Sequence, residues 1–160
     1  MLKLCGALLV FSAASAIGGL AYWRLQRRVQ TLQGLQNAFE RLRTEIAFLQ
    51  TPLAQAAERT QHRIFTAFAK CLEAGALPQT AMQSVILQED SLLQADKDIL
   101  LYAARLLGST EVSAQCRHID GVLTRLSAQL ADAKHLVQTN GRLYIAFGVL
   151  GGLLLVILLL

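Results

Sequence analysis

Residues 32–49, LQGLQNAFERLRTEIAFL, place apolar side chains at Leu32, Leu35, Phe39, Leu42, Ile46 and Leu49. The intervals alternate between three and four, which lays a single apolar stripe down one face of a helix at 3.6 residues per turn. Followed towards the N-terminus, the stripe passes through Val29 and Leu25 into residues 4–23, LCGALLVFSAASAIGGLAYW, a stretch without a charge. The far end of the chain mirrors it in residues 143–160, LYIAFGVLGGLLLVILLL. These stretches hold 20 and 18 residues, and at ~1.5 Å of rise per residue they reach roughly 30 and 27 Å, about the thickness of a bilayer's hydrocarbon core. The expected architecture is therefore a membrane hairpin: an N-terminal span over residues 1–23, a polar-patterned domain over 24–142, and a C-terminal span over 143–160.

Orientation follows from the basic residues beside the spans, because Lys and Arg near a span are retained on the cytoplasmic side. Arg24, Arg27 and Arg28 follow the first span, against Lys3 and the amino terminus before it, and Arg125, Lys134 and Arg142 precede the second. Both comparisons put the central domain in the cytoplasm. Tyr22 and Trp23, with Arg24, Arg27, Arg28 and Arg142, form the expected interfacial anchors, their cations facing anionic headgroups. A cleavable leader is the competing reading, since Lys3, the apolar run and Ala14-Ser15-Ala16 imitate its three regions. Cleavage would leave the domain outside the cell, tethered by its C-terminus. The apolar run continues to Tyr22-Trp23 and is backed by arginines, as in a retained span.

Between the spans the pattern is helical throughout, with no convincing strand. Thr51-Pro52 supplies an N-cap and a proline for the first turn, so one helix stops there and a second runs from Pro52 to about Thr60. A third follows Ile64, Phe65, Phe68 and Leu72 to a natural terminator at Gly75. Pro78 opens a fourth, with Met82, Val85 and Ile86 inward. Glu89-Asp90-Ser91 ends it, Ser91 capping the approach to a fifth through Ile99, Leu100, Ala103, Leu106 and Leu107 that stops at Gly108. The sixth carries Cys116, Ile119, Leu123, Leu126, Leu130, Ala133 and Val137, and Asn140-Gly141 predicts a break or bend before the second span. The expected fold is all-α: two long antiparallel helices, each running into a span, clasp four short ones in a six-helix bundle. The stripes on the first and last helices would also serve a coiled-coil homodimer.

Composition narrows the function. Residues 24–142 carry 14 Lys/Arg and 11 Asp/Glu, enough chain for one domain of ordinary size. The isoelectric point near 9.3 does not imply nucleic acid, because the basic residues are interleaved with acidic ones and aromatics are sparse. Cys5, Cys71 and Cys116 form neither a disulfide set nor a metal-ligand spacing, and read as buried inert thiols. His62, His118 and His135 are too far apart in sequence for a zinc motif. No phosphate loop, nucleophile elbow or metalloprotease motif is present, so the chain reads as non-enzymatic, with no cofactor and no metal. The densest charge feature is Glu89, Asp90, Asp96 and Asp98. Carboxylates at that point satisfy the positive end of the fifth helix, and an acidic docking patch for a basic partner is the alternative.

Further residues carry a resemblance. Met1-Leu2-Lys3-Leu4 with Gly6, the segment 42–56 holding Glu45-Ile46, Thr51-Pro52-Leu53 and Ala56, and the stretch from Leu107-Gly108 through Gln115 to Ile119 resemble the stage III sporulation protein AB family of endospore-forming bacteria. The likeness spans essentially the whole chain. It implies a domain similar to the F-type helical domains of the platform protein in type II secretion and type IV pilus machines. It also implies a place in a channel-like complex in the mother-cell membrane around the forespore, alongside other membrane subunits of that complex. The implied partner is a secretion-type ATPase, stage III sporulation protein AA or one like it. With one such domain rather than two, a full platform implies self-association or further subunits. On this reading ATP chemistry belongs to the partner and the chain is an adaptor that transmits work. A membrane-anchored sensor or regulatory module holding a ligand in its bundle is the rival, and polar residues within the apolar stripes would favour it; those stripes contain hardly any.

Overall fold

The computed structural model describes residues 2–49, 51–107 and 111–159, with side chains throughout 18–141 apart from positions 50 and 108–110, and only at scattered positions beyond. Among the described residues there are six α-helices and no strand: α1 (Leu2–Thr44), α2 (Leu53–Arg59), α3 (Arg63–Glu73), α4 (Pro78–Leu87), α5 (Gln94–Leu106) and α6 (Val112–Leu159). The chain divides into two compact units, one formed by residues 30–130 and the other by 1–29 together with 131–160.

The 30–130 unit is the helical bundle. Leu32, Leu35, Phe39 and Leu42 of α1 are fully buried, as are Phe65 and Phe68 of α3, Met82 of α4, Leu100 of α5 and Leu126 of α6. Phe39 meets Phe65 edge to face with ring centroids 4.9 Å apart, and Phe65 meets Phe68 in the same way at 6.3 Å. Such pairs match positive ring edges to negative faces and add about 0.5–1.5 kcal/mol each beyond the area they bury. The short helices pack in chain order, α2 on α3, α3 on α4 and α4 on α5. Val122, absent from the expected stripe of α6, is in the core with Ile119.

Local chemistry explains several boundaries. Gly75 has φ +87°, the left-handed region that a residue without Cβ enters freely. Its N–H bonds Leu72 O at 2.9 Å and the Ala76 N–H bonds Cys71 O at 3.0 Å, the double closure that satisfies the last carbonyls of a helix. Pro78 occupies the first turn of α4, where a missing N–H costs nothing.

Four expectations need correction. The helix expected to run to Leu49 ends at Thr44 and gives way to a π-helical turn, Glu45–Leu49. Each π turn takes up an extra residue, so the stripe rotates out of phase after Ile46, leaving Leu49 59% and Phe48 79% exposed. Thr51 is not an N-cap: Pro52 holds that position without a side-chain cap, and the Thr51 hydroxyl instead donates to Glu45 Oε2 at 3.2 Å. Ser91 does not cap α5, whose N-cap is Leu93. Asn140-Gly141 neither breaks nor ends α6, which continues to Leu159. The expected terminator Gly108 lies outside the described residues.

In the unit of residues 1–29 and 131–160, Gly141 admits the ring of Tyr22. A Cβ at that position would stand 2.8 Å from Tyr22 Cδ2, closer than carbon atoms pack, so close approach is the role of this glycine. The two expected spans fall largely on residues whose side chains lie outside the described ones, Cys5 among them. Among the described residues no helix is long and apolar enough to cross a membrane.

Candidate functional site

The four carboxylates expected to form one acidic surface are divided by the fold. Glu89 is 4% exposed and is engaged from three sides. The Arg63 guanidinium at the start of α3 donates to its Oε2. The Ser91 hydroxyl and N–H donate to its Oε1 at 2.6 and 3.3 Å. Because the Ser91 hydrogen is committed to Glu89, Ser91 Oγ is left to accept from Thr31 Oγ1 of α1, 2.9 Å away. Glu89 thereby ties the α4–α5 connection to α3 and, through Ser91, to α1.

Asp96 has no exposed surface, and its Oδ2 accepts the Leu93 N–H at 3.0 Å. This places a carboxylate over the orphan N–H groups that begin α5, where helix dipole and hydrogen bond act together. Asp90 and Asp98 alone are exposed, and Asp98 accepts from the Gln94 side chain at 2.9 Å. Two of the four residues are structural staples, and two present charge to solvent.

The expected anchors divide similarly. Trp23 is exposed, with the Arg27 guanidinium 5.4 Å from its ring centroid, a cation–π geometry. Arg24 is also exposed. Tyr22 packs at Gly141, and Arg28, expected to face headgroups, is 6% exposed. The Arg142 side chain lies outside the described residues.

The sequence reading missed an open groove of about 380 Å³ lined by Asn37, Glu40, Arg41, Thr44, Glu45 and Arg59. It adjoins the π turn, where Glu45 accepts from Arg59 Nη1 at 3.0 Å as well as from Thr51. Nearby, Arg43 of α1 forms an ion pair with Asp120 of α6, its Nε 2.6 Å from Oδ1 and its Nη2 donating to Oδ2 at 3.2 Å. A groove needs a tertiary neighbour, here α2 against the end of α1, so no local signal could have marked it. Cys71 and Cys116 are half-buried rather than fully buried. Among the described residues no three His, Cys, Asp or Glu side chains are grouped to hold a metal.

These features define a helical-bundle protein whose charged residues chiefly fasten its own corners. The chain belongs to the family of stage III sporulation protein AB, whose family model matches residues 3–160. The stage III sporulation protein AB of Bacillus subtilis (strain 168) is 29% identical over 170 residues, an alignment covering 99% of each chain. A solved structure of stage III sporulation protein AB (SpoIIIAB) superimposes with a TM-score of 0.62 at 26% identity, covering 69% of this chain and 96% of that one. The family expected from residues 42–56 and 107–119 is thereby confirmed, and with it a sporulation protein built as a helical bundle.

Proposed function

We propose that this protein is a non-enzymatic membrane platform or adaptor subunit of a sporulation-specific, secretion-like channel complex between mother cell and forespore. Residues 4–23 and 143–160 span the membrane as helices, and the 30–130 bundle stands on the cytoplasmic, mother-cell side. There it docks a secretion-type ATPase resembling stage III sporulation protein AA and passes the work of that motor to other membrane subunits or to further copies of itself. The observation that carries this reading is the near-complete match to the stage III sporulation protein AB family. The uncharged apolar ends of α1 and α6 support the membrane placement. The fully apolar stripe of α1 and the open, solvent-facing groove give no support to a ligand sensor built into the bundle.

Placement is tested with single cysteines at the exposed positions Gln61 and Asp90, in a background where Cys5, Cys71 and Cys116 are serine. An impermeant thiol reagent should label both only after lysis, and the protein should stay in the pellet on alkaline carbonate extraction. Labelling in intact cells, or release by carbonate, overturns the topology. Docking is tested by co-purification with the ATPase, comparing the parent with a double Asp90→Lys, Asp98→Lys variant. Absence of co-purification for the parent under all salt conditions refutes the adaptor role.

A further inference from the structure

His62 immediately precedes α3, and its imidazole lies against α1 at Gly34, a position with no side chain. A Cβ on Gly34 would stand 2.9 Å from His62 Nε2 and 3.0 Å from Cδ2, so only glycine leaves room for the ring. The ring also meets Phe65 edge-on, with centroids 6.3 Å apart. Its Nδ1 is buried, and no described group forms a hydrogen bond with it. Gln61, just before it, holds φ +56°, a conformation uncommon outside glycine that fixes how the chain delivers His62 to α1.

The surroundings suit a neutral imidazole and not a charged one. From Val29 to Phe39, α1 carries no charged residue, so it offers the ring no counter-ion. Arg63 of α3 opposes a positive charge on the ring. Glu89, from the α4–α5 connection, favours one, but it is already engaged by Arg63 and Ser91. Burial, followed by Arg63, holds the proton affinity of His62 below its ordinary value of 6.5, with Glu89 opposing.

We propose that His62 and Gly34 form a proton-sensitive clasp holding the start of α3 against α1. The neutral ring closes it, and protonation opens it. Because the folded state binds this proton less readily than the open state, the contact keeps its full strength above pH 6.5 and loses it as pH falls below that value. A single proton can change the opening equilibrium by at most roughly tenfold per pH unit.

The test uses the full chain in detergent micelles. In the parent protein, NMR titration should show the His62 imidazole accepting its proton below the ordinary histidine range. From about pH 7.5 down to 6.5 the hydrogen-exchange protection of residues 60–68, corrected for intrinsic rates, should hold steady, and below 6.5 it should fall by up to roughly tenfold per unit, while that of residues 116–130 changes far less. In His62→Gln, which cannot titrate, the protection of residues 60–68 should be independent of pH. The proposal is overturned if His62 titrates at or above the ordinary value, if the parent's protection does not change, or if the glutamine variant keeps the acid response. If His62→Gln does not fold, the two measurements on the parent still decide: normal titration or unchanged protection rejects the clasp.

Discussion

Replacing Gly121 and Gly141 separately with alanine makes the same chemical change twice within one helix, and the structure gives the two changes different outcomes. In a helix interior, alanine is favoured over glycine by roughly 0.5–1 kcal/mol, because glycine loses more backbone freedom on folding. At Gly121 nothing lies within 4 Å of an added Cβ, so the full gain should appear. At Gly141 the Cβ would lie 2.8 and 2.9 Å from Cδ2 and Cε2 of Tyr22, and overpacking of that kind costs about 1–3 kcal/mol. Subtracting the propensity gain leaves a net effect between about zero and a loss of roughly 2.5 kcal/mol. For a chain of this size each kcal/mol moves the unfolding midpoint by roughly 2–4 °C.

Thermal unfolding of the full chain in detergent, followed by circular dichroism, reads both variants. Trp23, the single tryptophan, follows Tyr22 in the chain and reports on its unit by fluorescence. Gly121→Ala should raise the midpoint, and Gly141→Ala should lower it or leave it unmoved. Adding Tyr22→Ala to Gly141→Ala should recover part of the loss, since the clash leaves with the ring. Equal stabilisation by both alanines would show that Tyr22 does not occupy the place Gly141 leaves. A large loss at Gly141 that Tyr22→Ala fails to relieve would restore the bend expected at Asn140-Gly141.

Glu89→Ala should cost about 2–3 kcal/mol, because it strips a charged acceptor from the Ser91 N–H and hydroxyl, whereas the exposed Asp90→Ala should stay within about 0.5 kcal/mol; denaturant midpoints of the full chain compare them. Thr51→Ala should cost less than about 1 kcal/mol, the value of one partly exposed hydrogen bond rather than a helix cap, and the loss should vanish in a Glu45→Ala background, which removes the acceptor, if the Glu45 contact is its source. Leu42→Ala should cost about 2–5 kcal/mol and Leu49→Ala less than about 0.5; similar losses at both positions would mean that the apolar stripe continues unbroken and that the π turn is wrong.

Much of the bundle was legible because its determinants are local. The alternation from Leu32 to Ile46, the left-handed Gly75 and the proline opening α4 each depend on a few neighbouring residues. The misread features depend on distant ones. Nothing within residues 45–51 says that Glu45 will find Arg59, fourteen residues on, and that the corner will close through a π turn. Thr51-Pro52 carries the composition of a cap, yet Glu45 takes the hydroxyl away. Gly141 looks like a hinge from its neighbours and is a packing site only because Tyr22, at the other end of the chain, lies against it.

The fate of the acidic cluster bears directly on how docking can be tested. Four carboxylates within ten positions suggest a patch, but a patch requires that they share a solvent-facing surface. Here Glu89 and Asp96 turn inward, one gathering α1, α3 and the α4–α5 connection, the other closing the first turn of α5. Reversing all four charges would therefore bury two unpaired lysines, an error that costs several kcal/mol, and a lost partner could not be told from a lost fold. Changing only Asp90 and Asp98 keeps both staples. Since like charges brought together at an interface weaken binding, loss of the ATPase by that double variant, with unfolding unchanged, would place the docking face on these two side chains. Retained binding would move the search to the groove beside Glu45, where charges of both signs meet: Glu40 and Glu45 with Arg41 and Arg59, the last held by Glu45.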